Sequence, residues 1–161
     1  MTEIKIGNRL IGAKQPHFII AELSGNHDQS LDKALAMVDA AAKCGADAIK
    51  IQTYTADSMT LDISYGDFVI QDADNLWQGQ SLHDLYQKAM TPWNWHKTIF
   101  DRAASHGMLA FSTPFDLAAV EYLEQLNTPC YKIASFENSD HGLLAAVAKT
   151  GKPVIMSTGM A

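Results

Sequence analysis

The chain has 161 residues, enough for one domain with a sizeable core, and its 47% hydrophobic and 19% charged content is globular rather than disordered. A formal net charge of −6 speaks against nucleic acid or an anionic membrane as the main partner, so an anion site has to be local. Cys44 and Cys130 stand in no metal-like spacing, no signal-peptide core is present, and no apolar run nears the roughly 18 residues that span a bilayer; a reduced, cytoplasmic protein is expected.

Residues Ile4 to Ile11 alternate around Gly7-Asn8, which predicts a small hairpin within segment 1–16, a flap or plug rather than a place for chemistry. Phe18-Ile19-Ile20-Ala21 is a continuous apolar run, predicting a buried strand that ends in Glu22-Leu23-Ser24-Gly25-Asn26-His27. Ser30 is placed to cap a helix with Leu31, Leu35, Val38 and Ala42 at helical spacing, and Gly45 to stop it. A second buried strand, Ala48-Ile49-Lys50-Ile51-Gln52-Thr53, follows.

Residues 55–90 are the least regular part, with aspartates from Asp57 to Asp74 among Tyr65, Phe68, Trp77 and Tyr86. So long a loop predicts some internal structure, a short helix around Ser81 to Lys88. An aromatic-rich loop over a strand end is either functional or a packed surface excursion. Thr91-Pro92 predicts a helix start with Thr91 as cap, Trp95, Ile99 and Ala103 inward, and Gly107 as the stop.

Met108 to Phe111 is a third apolar run, ending in Ser112-Thr113-Pro114; Asp116 then caps a helix with Val120, Leu123 and Leu126 inward. Tyr131-Lys132-Ile133-Ala134-Ser135-Phe136-Glu137 reads as a strand running into a loop. Leu143, Leu144 and Val147 mark another helix, closed by Gly151. Pro153 to Met156 is the fifth strand, passing into Ser157-Thr158-Gly159-Met160.

Strand–helix alternation of this kind gives an α/β fold with a parallel sheet. The first strand is not followed by Gly-x-Gly-x-x-Gly, so a dinucleotide-binding version has no support. A (β/α)8 TIM barrel takes about 250 residues. The chain therefore reads as the N-terminal portion of such a barrel, about five βα units in 17–161, preceded by the hairpin.

The exceptional residues fall at the strand ends: Glu22 with Asn26 and His27, Lys50 with Gln52, Ser112 with Thr113, Lys132 with Ser135 and Glu137, and Ser157 with Thr158. In a parallel α/β sheet those ends face one way, where such folds place their chemistry. Two lysines with hydroxyls and loop amides suit a phosphate dianion, and two carboxylates could orient hydroxyls or move protons. Each residue also has a plain structural reading. Lys132 could snorkel at a strand end, Lys50 could pair with Glu22, and Asn26-His27 could be turn residues.

Taken together, Phe18 to Glu22, Asn26-His27, Lys50-Ile51-Gln52-Thr53, Phe111 to Phe115, Tyr131 to Glu137 and Ser157 to Met160 resemble, in order, the motifs of the sialic acid synthase family. Those enzymes condense phosphoenolpyruvate with an amino sugar. Glu22-Leu23-Ser24 and the stretch from Leu82 to His96 most resemble the branch that uses a 6-deoxy 2,4-diacetamido hexose; the neuraminate and legionaminate branches share the phosphoenolpyruvate motifs.

The resemblance implies that Lys50, Thr113, Lys132, Ser135 and Ser157 hold the phosphate and carboxylate of phosphoenolpyruvate. It implies that Glu137 handles the attacking water or its proton, that Glu22 contacts sugar or the pyruvyl unit, and that Gln52 joins the same pocket. A divalent metal (Mn2+ or Mg2+) is implied too, held by two histidines beyond Ala161, since His27 and His96 do not match the metal motif. The remaining barrel and a C-terminal antifreeze-like domain, which covers the sugar site of a partner subunit in a homodimer, are expected outside this sequence. The sequence alone is expected to be inactive. The rival within enzymes is an imine-forming aldolase with Lys50 or Lys132 as nucleophile; outside them, a non-catalytic module with partial ligand binding.

Overall fold

The computed structural model describes residues 3–159. The N-terminal hairpin pairs β1 (Ile4–Ile6) with β2 (Arg9–Ile11) in antiparallel register. Gly7 makes its turn at φ +56, a conformation that side chains rarely adopt, and faces Leu109 so closely that a Cβ would lie 2.8 Å from that side chain. The main sheet has five parallel strands in the order β3 (Ile20–Glu22), β4 (Ala48–Thr53), β5 (Leu109–Pro114), β6 (Tyr131–Ile133) and β7 (Val154–Met156). Sequential parallel neighbours of this kind are those of a partial TIM barrel.

Among the described residues six α-helices accompany the strands: α1 (Leu31–Lys43), α2 (Ala56–Met59), α3 (Leu82–Ala89), α4 (His96–Ser105), α5 (Leu117–Gln125) and α6 (His141–Lys149). Five of them begin at a residue whose side chain accepts an amide of the first turn: Ser30, Thr55, Ser81, Asp116 and Asp140. Each such cap stabilises its helix by about 1 kcal/mol relative to alanine.

Side-chain alternation along the strands sorts the interior. Ile49, Ile51 and Ala110 face outward and pack with Val38, Ile99 and Ala103 of α1 and α4. Tyr131 and Ile133 do the same against Val120, Leu123, Leu143 and Val147 of α5 and α6. The opposite parity, Ile20, Ala48, Phe111 and Ile155, forms an inner cluster that Ile6 of the hairpin closes from below. The hairpin is thus a plug at the N-terminal end of the strands. Further along the same inward rows stand Glu22, Lys50, Gln52, Thr113 and Lys132. The switch from apolar to polar along one parity is what sets the site at the C-terminal ends.

Several boundaries differ from the sequence reading. The first strand begins at Ile20, because the Asp47 carboxylate accepts the amide of Ile19 at 2.8 Å and takes it out of the ladder. The third begins at Leu109, since the Met108 amide closes the end of α4 on Ala103. It also runs on through Ser112-Thr113-Pro114, which pair with Ile51-Gln52-Thr53 rather than forming a turn. The fifth begins at Val154; Pro153 has no amide to give.

Thr91 caps no helix: a 3-10 turn, Trp93–Trp95, intervenes, and α4 starts at His96. Its hydroxyl meets His27 Nε2 at 3.2 Å instead. The expected helix near Ser81 to Lys88 is α3, while α2 and a 3-10 turn at Gly66–Phe68 order more of 55–90 than its composition predicts. Met160 of the last motif lies outside the described residues.

Candidate active site at the strand ends

A cavity of about 500 Å³ opens at the C-terminal ends of β4, β5 and β6. Lys50, Gln52, Thr113 and Lys132 line its floor, and all four project from inward-facing strand positions. Lys50 is ion-paired through Nζ with Glu22, its register partner on β3. Glu22 also accepts from the amide and hydroxyl of Ser24, at 3.2 and 3.0 Å. Lys132 donates from Nζ to the Ile133 carbonyl at 2.5 Å and to Ser157 Oγ at 2.6 Å.

The electrostatics follow from these placements. Burial pulls the Lys132 ammonium below its ordinary pKa, the Lys50 charge adds to that, and Glu22 opposes it. Two ammonium groups therefore share a partly dry floor with a single paired carboxylate, leaving a positive excess that an anion would relieve. Ser135 and Glu137 belong to a 3-10 turn, Ser135–Glu137, just past β6; neither lines the cavity itself. Ser135 lies near Gly159, where a Cβ would come to 3.7 Å. Burial first, and then Asp140, raise the Glu137 carboxyl above the usual range, so it holds a proton more readily than an exposed carboxylate.

The two histidines near the mouth serve the scaffold. His27 is fully buried, with Nε2 on Thr91 and Nδ1 accepting from the Gln29 amide at 3.2 Å, and its ring meets Trp95 edge-on. His96 is fully buried as well: Nδ1 faces the Pro92 carbonyl at 3.2 Å and Nε2 faces Thr53 Oγ1 at 2.8 Å. Thr53 in turn meets Ser112 at 2.6 Å, so the outward hydroxyls of β4 and β5 anchor α4. Burial lowers the His96 pKa to about 4. With both ring nitrogens of each engaged, neither suits a cation. Among the described residues no group of three or more His, Cys, Asp or Glu side chains is placed to hold a metal, so the implied cation finds no ligand set here.

The walls come from residues that were not among the expected site residues. Tyr54 follows Gln52 by two positions, Phe115 follows Thr113 by two, and Ala134 and Phe136 continue from Lys132; all line the cavity. The alternation that marks Lys50 and Gln52 as inward extends to these aromatics and could have found them. Opposite stand Met59 of α2, Leu85, Tyr86 and Ala89 of α3, and Trp77. Residues 55–90 thus form one side of the pocket.

The turn after β3 is fastened to that side. Ser24, Asp28 and Gln29 take positive φ values of 49, 53 and 51, a cost of order 1–3 kcal/mol each that persists only where contacts enforce it. Here Gln29 Nε2 donates to the carbonyls of Lys88 and Met90, at 2.7 and 2.8 Å. Gly25 approaches the end of α3 so closely that a Cβ would fall 2.7 Å from the Ala89 carbonyl oxygen. Asn26 donates to the Leu23 carbonyl at 3.1 Å and still lines the cavity.

A family model described as the NeuB family matches residues 37–161. The chain is 48% identical over 158 residues to a pseudaminic acid synthase of Campylobacter jejuni, covering 98% of this chain and 45% of that protein. It is 47% identical over 147 residues to a pseudaminic acid synthase of Helicobacter pylori, covering 91% and 43%. Among solved structures, N-acetylneuraminic acid (sialic acid) synthetase from Leptospira borgpetersenii, in complex with citrate, matches with a TM-score of 0.83 at 32% identity. That match covers 99% of this chain and 50% of the other. The chain spans less than half the length of these two curated relatives.

Proposed function

The chain belongs to the NeuB family, and from that membership we propose that the protein condenses phosphoenolpyruvate with a diacetamido-trideoxy hexose, releasing pseudaminic acid and phosphate. The observation that carries this reading is the convergence of Lys50 and Lys132 on one cavity floor with Gln52 and Thr113. Identity to two pseudaminic acid synthases supports the choice of sugar.

In this account Lys50, Thr113, Lys132, Ser135 and Ser157 hold the phosphate and carboxylate of phosphoenolpyruvate, and Gln52 fixes the same end. The C2=C3 π pair of phosphoenolpyruvate forms the new bond from C3 to the aldehyde carbon of the open-chain sugar, leaving cationic character at C2, while the aldehyde C=O π pair moves onto its oxygen, which takes up a proton to become a hydroxyl. Water then adds at C2, its proton passing to the Glu137 carboxylate, whose raised affinity for protons suits it as acceptor. The adduct expels inorganic phosphate. Glu22, which the structure pairs with Lys50 and Ser24, contacts the sugar or the pyruvyl unit in this reading once an anion competes for Lys50. The residues contribute position and electrostatics rather than covalent chemistry.

A second reading keeps the reaction and changes the sugar to N-acetylmannosamine; the fold match to a sialic acid synthetase favours it. The full-length protein, given phosphoenolpyruvate with each sugar in turn and followed by phosphate release and mass spectrometry of the product, separates them. The expected result is one nonulosonate per phosphate, fastest with the diacetamido sugar. Preference for N-acetylmannosamine would select the second reading. Phosphate release with neither, or a borohydride-trapped pyruvyl lysine, would overturn both.

A further inference from the structure

Tyr54 carries chemistry that the phosphoenolpyruvate end does not use. It follows β4 on the inward parity of Lys50 and Gln52, one pleat step further out, roughly 6.6 Å for extended chain. The residue is only 4% exposed. Tyr86 and Phe115 hold its ring edge-on, with centroids at 5.9 and 5.5 Å, and its carbonyl accepts from Trp93 Nε1 at 3.1 Å. The ring cannot swing away to find another partner.

Its hydroxyl makes no hydrogen bond among the described residues, yet it is not a polar atom shut off from solvent; among those residues only Asn138 Nδ2 is both buried and unpaired. A buried tyrosine normally satisfies its hydroxyl. Here the open space beside it is the cavity. Burial also pushes this phenol up to about 12, so it remains a neutral donor throughout the physiological range. Around it, Met59, Leu85, Tyr86 and Phe115 make an apolar wall.

A fixed phenol donor beside the apolar side chains of Met59, Leu85 and Phe115, with the Tyr86 hydroxyl on the same wall, discriminates among ligand groups. A phosphate or carboxylate is better served by the two lysines deeper in. A bare sugar hydroxyl would take the hydrogen bond but leave the wall wet. An acetamido group satisfies both, its carbonyl oxygen accepting and its methyl covering apolar surface. We propose that Tyr54 is a specificity-determining residue whose hydroxyl donates to the carbonyl oxygen of an acetamido group on the acceptor sugar, with the methyl packed against Met59, Leu85 and Tyr86. This rests on the condensation reading of the same cavity.

The test is Tyr54→Phe in the full-length enzyme, which keeps the ring contacts and removes one hydroxyl. The KM for the diacetamido sugar should rise about tenfold, while the KM for phosphoenolpyruvate stays within about twofold and serves as the control for folding. With sugar analogues in which each acetamido group in turn is replaced by hydroxyl, the variant penalty should disappear for one of them. An unchanged sugar KM, an equal rise in both KM values, or a penalty that survives both replacements would overturn the proposal and leave the condensation reading standing. A wild-type enzyme that turns over no sugar would overturn the condensation reading and this proposal together.

Discussion

Lys132 is the residue on which the anion site turns. It donates to two uncharged oxygens, the Ile133 carbonyl and the Ser157 hydroxyl; among the described residues no carboxylate pairs with it, and burial already depresses its pKa. An incoming dianion would restore what desolvation removes. Lys132→Met should weaken phosphoenolpyruvate binding by about 1.5–3 kcal/mol in calorimetric titration; undiminished affinity would take Lys132 out of the site. Glu137→Gln keeps the shape but cannot accept a proton, so turnover should fall about a hundredfold or more with phosphoenolpyruvate binding retained. Wild-type turnover in that variant would reduce Glu137 to a scaffold role.

His96 supplies a different test. Its folded pKa of about 4 lies below the ordinary value of 6.5, so the unfolded state binds the extra proton first as pH falls. Its share of stability is complete above pH 6.5 and is lost progressively as pH falls from 6.5 towards 4, by about 3 kcal/mol at the full shift. His27, lowered by burial, acts in the same direction, whereas His83, raised by its bond to Asp57, opposes it. Urea midpoints across that window should fall with acid in the wild type and fall less in His96→Gln; identical slopes would contradict the buried neutral ring. The sequence placed the inward polar residues well, because a lysine in an apolar strand is conspicuous. It could not show that Thr91 and Thr53 would occupy the histidines, since those bonds join residues 64 and 43 positions apart.

At the scale of elements, the wall built from α2 and α3 depends on the turn after β3. Gly25 is the point of closest approach, and a methyl there must displace the Ala89 carbonyl or the turn itself. Gly25→Ala should therefore lower stability by about 1–3 kcal/mol, as overpacking does. Because Leu85, Tyr86 and Ala89 line the cavity, it should also raise the sugar KM more than that for phosphoenolpyruvate. Thermal unfolding and steady-state kinetics on one preparation would check both; unaltered stability would show that the close approach relaxes at no cost. Strand existence and order were legible from apolar runs and caps. Boundaries were not, because Asp47, the end of α4 and Pro153 each divert or remove an amide that the pattern assigns to a ladder. The order within 55–90 escaped composition because α2 rests on a reciprocal Thr55–Ser58 capping box, a local signal only four residues long.

Across the whole molecule, a net charge of −6 coexists with two lysines on one cavity floor, so anion binding is expected in that cavity rather than on the general surface. Among the described residues the sheet has two open edges, β3 and β7, and Ile19, Val154 and Met156 near them are 55%, 41% and 46% exposed. A second cavity of about 560 Å³, lined by the hairpin with Ile20, Val154 and Ile155, is apolar as well. Edges of that kind are normally covered. The isolated 161-residue chain is expected to self-associate through them in sedimentation velocity, and a sharp monomer with fully protected edge amides would contradict that.

Lys50 and Lys132 are proposed to receive together the phosphate and carboxylate of phosphoenolpyruvate at the ends of β4 and β6. A crystal structure of the full-length protein with phosphoenolpyruvate bound tests it most directly. The ligand should lie on the cavity floor, its anionic oxygens within hydrogen-bonding distance of both ammonium groups and of Thr113, and C3 directed towards Tyr54 and the apolar wall. Phosphoenolpyruvate bound elsewhere, or on this floor with either lysine still turned to its present partners, would contradict it.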